Sequence, residues 1–335
     1  DPEATVRAEA ANALAQAVHH GDGKPVLDAL LNRIESENDE QVLGTFARTL
    51  GRLSLGDEDQ SLALDILLDL GDVGAAQVSP NLAQGLVLGL EALARKSGGD
   101  LLSDQAKDQL VIMLRYRSAD ELTAARVRAL ALSTLRHAEA LTERYVDESL
   151  RDPDPDVRRI AAASLDLVPP SLRTELTRRA LGDQTLRVSI EALRQLADDP
   201  SNALRCQWLD IAAGKTNMRP IRVLALEALG EPCPDVAAQQ QTLLDAVSEI
   251  GAATDSEWLA PARALVSLAS IAPELAEAVL PQFLEHENAF VRSYAASAAA
   301  LVGQTGALRV LSQDPTPNVR TAAIQLLAAQ DSESI

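Results

Sequence analysis

A short phrase that begins a helix recurs along the chain, and its repetition restricts the fold more than any other feature of the sequence. Its clearest copies are RDPDPDVRRIAAASLDLV at 151–168 and QDPTPNVRTAAIQLLAAQ at 313–330, and a shorter one, DPEATVRAEAANALAQA, lies at 1–17. In each copy a branched apolar residue precedes an arginine, and smaller or apolar residues follow four and eight positions later. Positions i, i+4 and i+8 share one helical face, so each copy predicts an amphipathic helix. Regular recurrence predicts a repeat protein.

The pattern can be placed at ten anchor residues, about 28 to 45 positions apart. Asp or Asn ahead of the anchor can cap the first-turn amides, and Pro suits the start of a helix. Further amphipathic segments precede many copies, at 24–36, 61–72, 141–152, 236–251 and 273–287. The sequence therefore predicts an all-α fold, an α-α superhelix (solenoid) of about ten helix pairs. The anchors are Val6, Val42, Leu82, Val127, Val157, Val188, Ile221, Ala260, Val291 and Val319.

The D-x-x-x-V-R-x-x-A-x-x-x-L phrase resembles the HEAT-repeat family in its short bacterial form, over essentially the whole chain. The resemblance implies that the second helix of each pair lines the concave side of an armadillo-like superhelix. It also implies a ladder of side chains between neighbouring repeats, to which Asp156, Arg158, Asn318 and Arg320 would belong.

The repeats predict a single solenoid over residues 1–335, with a joint near 96–100, where KSGGD interrupts the helical pattern. Solenoids normally need polar capping repeats at their ends. The chain instead starts in a turn directly before a second helix and ends soon after another. We therefore expect it to be a segment of a longer polypeptide.

The charge balance and the lengths of the apolar stretches indicate which partners to expect. There are 49 acidic and 30 basic residues, a formal net charge of −19. Binding of nucleic acid requires a basic surface that displaces counterions, and the densest basic cluster, 173–179, is interrupted by Glu175. No stretch reaches the ~18 uninterrupted apolar residues of a membrane helix. Neither nucleic acid nor membrane insertion is expected. The compartment stays open: cytoplasmic, or periplasmic or secreted if an export signal was removed upstream.

The two cysteines, Cys206 and Cys233, lie outside any metal-binding or redox motif. We expect two small, half-buried thiols in adjacent repeats. Trp208 and Trp258 are interpreted as isolated residues that fill gaps between helices, although each could also anchor an interface.

No motif for catalysis or for a cofactor stands out. The deoxyhypusine hydroxylases, a HEAT-like family, bind two irons with several His-Glu pairs. This chain has one such pair, His286-Glu287, since Ala138 follows His137 and Gly21 follows His19 and His20. Neither a metal nor another cofactor is expected. A third and weaker alternative is a HEAT-like bilin lyase, for which we find no cluster of aromatic and acidic residues.

A binding surface can be located from the repeat alone. Positions six residues beyond each anchor lie off the apolar stripe and should recur along the concave side. Their mixed, mostly small character suits a protein or an extended peptide. These positions include Asn12, Arg48, Ser133, Ala163, Arg194, Glu227, Ser297 and Gln325.

The sequence thus favours a non-catalytic, protein-binding scaffold that uses its concave surface. The alternative is a substrate-positioning helical arm of a larger enzyme, such as a cyclophilin-type prolyl isomerase, whose catalytic domain would lie outside residues 1–335. The oligomeric state and the identity of the partner do not follow from the sequence.

Overall fold

A computed structural model describes residues 1–18, 21–72, 78–97, 100–199, 204–215, 217–252 and 257–333. Within these ranges the chain forms nineteen α-helices and two short 3-10 turns, and no strand. The prediction of an all-α fold is confirmed.

Helices that carry an anchor alternate with helices that do not. All ten anchors lie in the odd-numbered helices, which we call second helices: α1 Ala4–Ala17, α3 Glu40–Arg52, α5 Pro80–Ser97, α7 Glu121–His137, α9 Pro155–Ala162, α11 Leu186–Ala197, α13 Arg219–Ala228, α15 Leu259–Ile271, α17 Ala289–Leu301 and α19 Pro317–Glu333. The even-numbered first helices are α2 Lys24–Ile34, α4 Asp57–Gly71, α6 Asp104–Met113, α8 Glu143–Ser149, α10 Pro170–Leu181, α12 Arg205–Ala213, α14 Val236–Val247, α16 Pro273–Leu284 and α18 Thr305–Leu311.

The repeated phrase starts its helix by capping. In α9 the carboxylate of Asp154 accepts hydrogen bonds from the amides of Asp156 (2.8 Å) and Val157 (3.3 Å), while Pro155 occupies the first turn. Asn288 caps α17 in the same way through the amide of Phe290 (2.9 Å). Each cap satisfies an amide that has no partner within the helix.

Contacts along the chain divide it into two compact units, residues 1–188 (unit 1) and 189–335 (unit 2). In unit 1 the second helices α1, α3, α5, α7 and α9 pack each against the next, and in unit 2 α13, α15, α17 and α19 do so. These second helices contact one another more extensively than the first helices do. The predicted joint at 96–100 includes residues 98–99, which lie outside the described part of the chain.

Glycines bring α3 and α5 into the most extensive helix-helix contact among the described elements. A methyl group on Gly89 would lie 2.5 Å from the carbonyl oxygen of Ala47, and one on Gly85 would overlap the carbonyl group of Gly44. Only a residue without a Cβ allows the two backbones to approach this closely.

We expect Gly89→Ala to lower the free energy of unfolding of unit 1 by about 1–3 kcal/mol, because the added methyl must push the two helices apart. This loss should exceed the gain in helix propensity, which favours Ala by roughly 1 kcal/mol. Urea unfolding monitored by circular dichroism measures the change. Gly306→Ala in α18 is the control, since its methyl would meet no atom within 4 Å. If Gly89→Ala proved as stable as that control, the close approach of α3 and α5 would be contradicted.

Cys206 and Cys233 form a disulfide, so the expectation of two separate thiols is wrong. Cys206 lies in α12 and Cys233 in the turn after α13, with their Cα atoms 5.9 Å apart. Their separation of 27 residues is close to one repeat. Stacking of helix pairs therefore brings the two positions side by side, which neither local motif indicated.

Candidate functional site

The arginine of the repeated phrase clamps its own turn. Arg158 Nη1 donates to the carbonyl oxygens of Asp152 (2.8 Å) and Pro153 (2.9 Å), six and five residues earlier. Arg320 makes the corresponding bonds to Asp314 (2.7 Å) and Pro315 (2.9 Å). These bonds satisfy carbonyl groups of the preceding turn that have no partner within a helix.

Arg158 and four other second-helix arginines also reach the next repeat, and we call these contacts the arginine ladder. In each case a second-helix arginine binds a carboxylate in the connection that precedes the following second helix. Arg158 is typical: its Nε and Nη2 atoms donate to the two carboxylate oxygens of Asp183 at 2.7 and 3.1 Å. The pairs are Arg7–Glu37, Arg128–Asp152, Arg158–Asp183, Arg222–Glu249 and Arg292–Asp314.

Of the other residues proposed for the ladder, Asp156 joins neighbouring second helices through a different pair, and Arg320 binds the turn before its own helix. Asp156 is exposed and lies 3.3 Å from Arg187 Nη1 and 3.8 Å from Arg159 Nε. Asn318 is exposed in the first turn of α19. Sequence reasoning missed the acids that bind the arginines, of which Asp152 and Asp314 stand six residues before the arginine of their own repeat. That fixed spacing could have identified them.

Arginine partners lower the pKa of two ladder carboxylates, Glu37 and Asp314. The hydrogen bond from Arg7, with further ones from backbone amides, lowers the pKa of Glu37 to about 2. The hydrogen bond from Arg292 likewise lowers the pKa of Asp314 below its ordinary value.

Stability should therefore decrease on acidification. Because the pKa of Glu37 is lower in the folded chain, its contribution is fully present above about pH 4.5 and is lost as the pH falls towards about 2. We expect Glu37→Gln to destabilise unit 1 by on the order of 1 kcal/mol at pH 7 and the two proteins to converge at low pH. Thermal unfolding at stepped pH measures this, and a constant difference between the proteins would contradict it.

A groove of about 760 Å³ crosses the second helices of unit 1, from α5 through α7 and α9 to the start of α11. Leu130 and Ile160 contribute half-buried apolar surface, and Leu122 is 65% exposed. The other lining residues are Gln84, Ala125, Arg126, Ala129, Ser133, Asp154, Asp156, Arg159 and Arg187. The groove thus combines apolar surface with guanidinium and carboxylate groups.

Of the residues predicted to line the concave side, which we call the concave row, Ser133 lines this groove. Arg48, Arg194, Glu227 and Gln325 are exposed, and the remaining members, Asn12, Ala163 and Ser297, are half-buried. The structure brings Glu227 into contact with Arg263 of the next second helix, at 3.1 Å. As a binding surface the row stays a prediction.

Aromatic residues of unit 2 form a cluster that sequence reasoning missed, so the interpretation of Trp258 as isolated is wrong. The rings of Trp258 and Phe290 stack in parallel, with centroids 5.6 Å apart and an interplanar angle of 5°. Tyr294 lies beside Trp258, at 6.1 Å between centroids. Arg263 extends over the ring of Tyr294, with 5.2 Å from the guanidinium carbon to the centroid. Trp258 and Phe290 stand 32 positions apart, about one repeat, and this spacing could have revealed them.

No group of three or more His, Cys, Asp or Glu side chains within the described ranges is arranged to hold a metal ion. His286 Nδ1 accepts a hydrogen bond from the amide of Asn288 (3.0 Å) in the turn before α17. His19 and His20 lie outside the described residues. Among the helices described, none is both long and apolar enough to span a bilayer.

No protein-family model matches the chain, and no curated protein matches it significantly. Among solved structures, Kap121p bound to Pho4p is similar at 15% identity, over 92% of this chain and 41% of that chain, with a TM-score of 0.43. Human deoxyhypusine hydroxylase in complex with glycerol is similar at 18% identity, over 97% and 98%, with a TM-score of 0.30. Microtubule polymerases with tumor overexpressed gene (TOG) domain arrays are similar at 11% identity, over 98% and 92%, with a TM-score of 0.28.

The chain therefore spans about two fifths of the length of the Kap121p chains that it matches. All three neighbours are HEAT-like solenoids. At these identities and TM-scores the likeness concerns the helical fold alone and carries no information about function.

Proposed function

We propose that this protein is a non-catalytic scaffold that binds an extended peptide segment of a partner protein along the second helices of unit 1. The observation that carries the proposal is the groove across α5, α7, α9 and the start of α11, where apolar surface lies beside charges of both signs. Such a combination gives a peptide both apolar contact and oriented polar contacts.

The spacing of the second helices fits an extended chain. Packed helices lie about 8–10 Å apart, and an extended peptide advances about 3.3 Å per residue. The backbone of a bound peptide therefore advances by about three residues from one second helix to the next. The exposed Arg126 and the half-buried Arg159 supply guanidinium groups to carboxylates or carbonyls of the peptide.

The arginine ladder supports this role by holding the groove rigid. Arg158, in α9, donates five hydrogen bonds of 2.7–3.2 Å. Two go to its own turn, two to Asp183 and one to Thr185. A surface fixed before binding loses less conformational entropy when the partner arrives.

Selection from a random library of peptides of about twelve residues, long enough to cross the four helices, tests the proposal. Peptides enriched on the full chain should bind Leu122→Glu and Arg126→Glu, two exposed positions of the groove, about tenfold more weakly. The matched control is Ile112→Glu on first helix α6, where Ile112 is 43% exposed. Failure to enrich any peptide, or equal binding to groove and control variants, would refute the scaffold role of unit 1.

A further inference from the structure

Phe290 presents an aromatic face to solvent that the fold does not need. The ring is 62% exposed, whereas the other two phenylalanines, Phe46 and Phe283, are 5% and 0% exposed. An exposed aromatic side chain forgoes most of the roughly 1.5–3 kcal/mol that burial would contribute. We call Trp258, Phe290 and Tyr294 together the aromatic platform.

The rings of the platform are held in place from within unit 2. Trp258 stacks on one face of Phe290, so the opposite face is the one available to a ligand. Arg263 links the platform to α13, since it lies over Tyr294 and donates to Glu227 at 3.1 Å. Three consecutive second helices, α13, α15 and α17, therefore fix this surface.

Charges around the platform favour a cationic ligand. The basic residues of α15 and α17 are Arg263 and Arg292, and they are bound to Glu227 and Asp314. Glu285 and Glu287 are exposed in the turn before Phe290, and neither forms an ion pair within the part of the chain described. Residues 189–335 as a whole carry 18 acidic and 9 basic side chains.

We infer that the aromatic platform is an anchor site for an arginine or lysine side chain of a bound peptide. The cation lies over the outer face of Phe290, attracted by the negative face of the ring and by the carboxylates of the adjoining turn. A planar guanidinium stacks on the ring especially well. The inference goes beyond the proposed function, because the platform lies in unit 2 and the groove lies in unit 1.

Exposed apolar residues also lie on the second helices α17 and α19. Leu301, three helical turns beyond Phe290 on α17, is 51% exposed, and Ile324 on α19 is 54% exposed. Leu301 lies about 16 Å from Phe290 along the helix axis, so an aliphatic side chain of an extended partner segment would reach it about five residues from the cation.

Tryptophan fluorescence provides a local measurement. The chain has two tryptophans, so the full chain with Trp208→Phe retains Trp258 alone, at the platform. The probes are the capped peptide Gly-Ser-Arg-Leu-Arg-Ser-Gly and matched peptides with citrulline or glutamate in place of both arginines. Citrulline keeps the shape of arginine and removes its charge.

The arginine peptide should change the Trp258 emission and bind about tenfold more tightly than the citrulline peptide, and added salt should weaken its binding. Phe290→Ala and Phe290→Leu should each lose about tenfold in affinity, and Phe290→Tyr should retain it. Val310→Ala, on first helix α18 with Val310 73% exposed, is the control and should bind as the parent does.

Equal affinity for the arginine and citrulline peptides, no binding of any probe, or an unchanged affinity in Phe290→Ala would overturn the inference. Concentration-dependent dimerisation that Phe290→Ala abolishes would also overturn it, by showing that a second copy covers the platform. The library peptides that depend on Leu122 and Arg126 test the scaffold separately. If those peptides bind the groove variants more weakly than the parent chain, the proposed function holds even if the platform binds no cation.

Discussion

Replacing Asp152 with alanine should lower the free energy of unfolding of unit 1 by about 3–5 kcal/mol. The partner of Asp152 is Arg128, whose side chain is 0% exposed. Arg128 Nε and Nη2 donate to the two oxygens of Asp152 at 2.8 and 3.0 Å. Without that carboxylate a buried guanidinium keeps only Glu121 at 2.7 Å and the carbonyl of Tyr116 at 3.1 Å. An incompletely paired charge inside a protein is costly.

Chemical denaturation followed by circular dichroism measures this effect. Two further variants test whether it arises from the buried, incompletely paired charge. Arg151→Ala removes a neighbouring ion pair with Asp147 that is partly exposed, and it should cost less than about 1 kcal/mol. Arg128→Met combined with Asp152→Leu removes both charges and should be far milder than Asp152→Ala alone. A loss for Asp152→Ala no larger than that for Arg151→Ala would mean that the pair is solvated and not buried.

Reduction of the Cys206–Cys233 disulfide should destabilise unit 2 by roughly 3–4 kcal/mol. The bond closes a loop of 27 residues that contains the whole of α13. Breaking it restores conformational freedom to the unfolded chain, which is the principal term in the loop-closure description of disulfides. Disulfides persist in oxidising compartments. Where thiols are kept reduced, unit 2 should therefore lose this stabilisation.

Scanning calorimetry with and without a phosphine reductant tests this expectation. The transition of unit 2 should move to lower temperature on reduction. The double variant Cys206→Ser, Cys233→Ser should unfold at that lower temperature and be insensitive to the reductant. A transition that stays in place on full reduction, verified by thiol labelling, would contradict the prediction.

Sequence patterns predicted the helices because the interactions involved are local. Val157 and Ala161 share one face of α9 by periodicity alone, and Asp154 caps the amides next to it. The helix ends at Ala162, so Leu165, which the pattern placed on the same face, lies instead in a short 3-10 turn. The same periodicity placed all ten anchors in second helices. The face of the helix on which a residue lies also determines its exposure. The residues predicted to line the concave side, six positions after the anchors, are accordingly exposed or half-buried.

Contacts between repeats were predicted less well, because each depends on how far one helix pair turns relative to the next. The ladder could be expected from the arginines, yet the acid that binds Arg158 is Asp183, a residue of the following repeat. The groove of unit 1 likewise draws on four helices, and no single repeat contains it.

By itself, then, the sequence determined that this protein is a stack of capped, amphipathic helix pairs, since propensity, capping and the apolar stripe act within a few residues. Tertiary structure alone decided which residues meet across repeats: the disulfide of Cys206 with Cys233, the glycine contact of α3 with α5, and the stacking of Trp258 on Phe290. Each joins positions about one repeat or more apart in the chain. Their distance is set by the packing of whole helices, which local pattern does not encode.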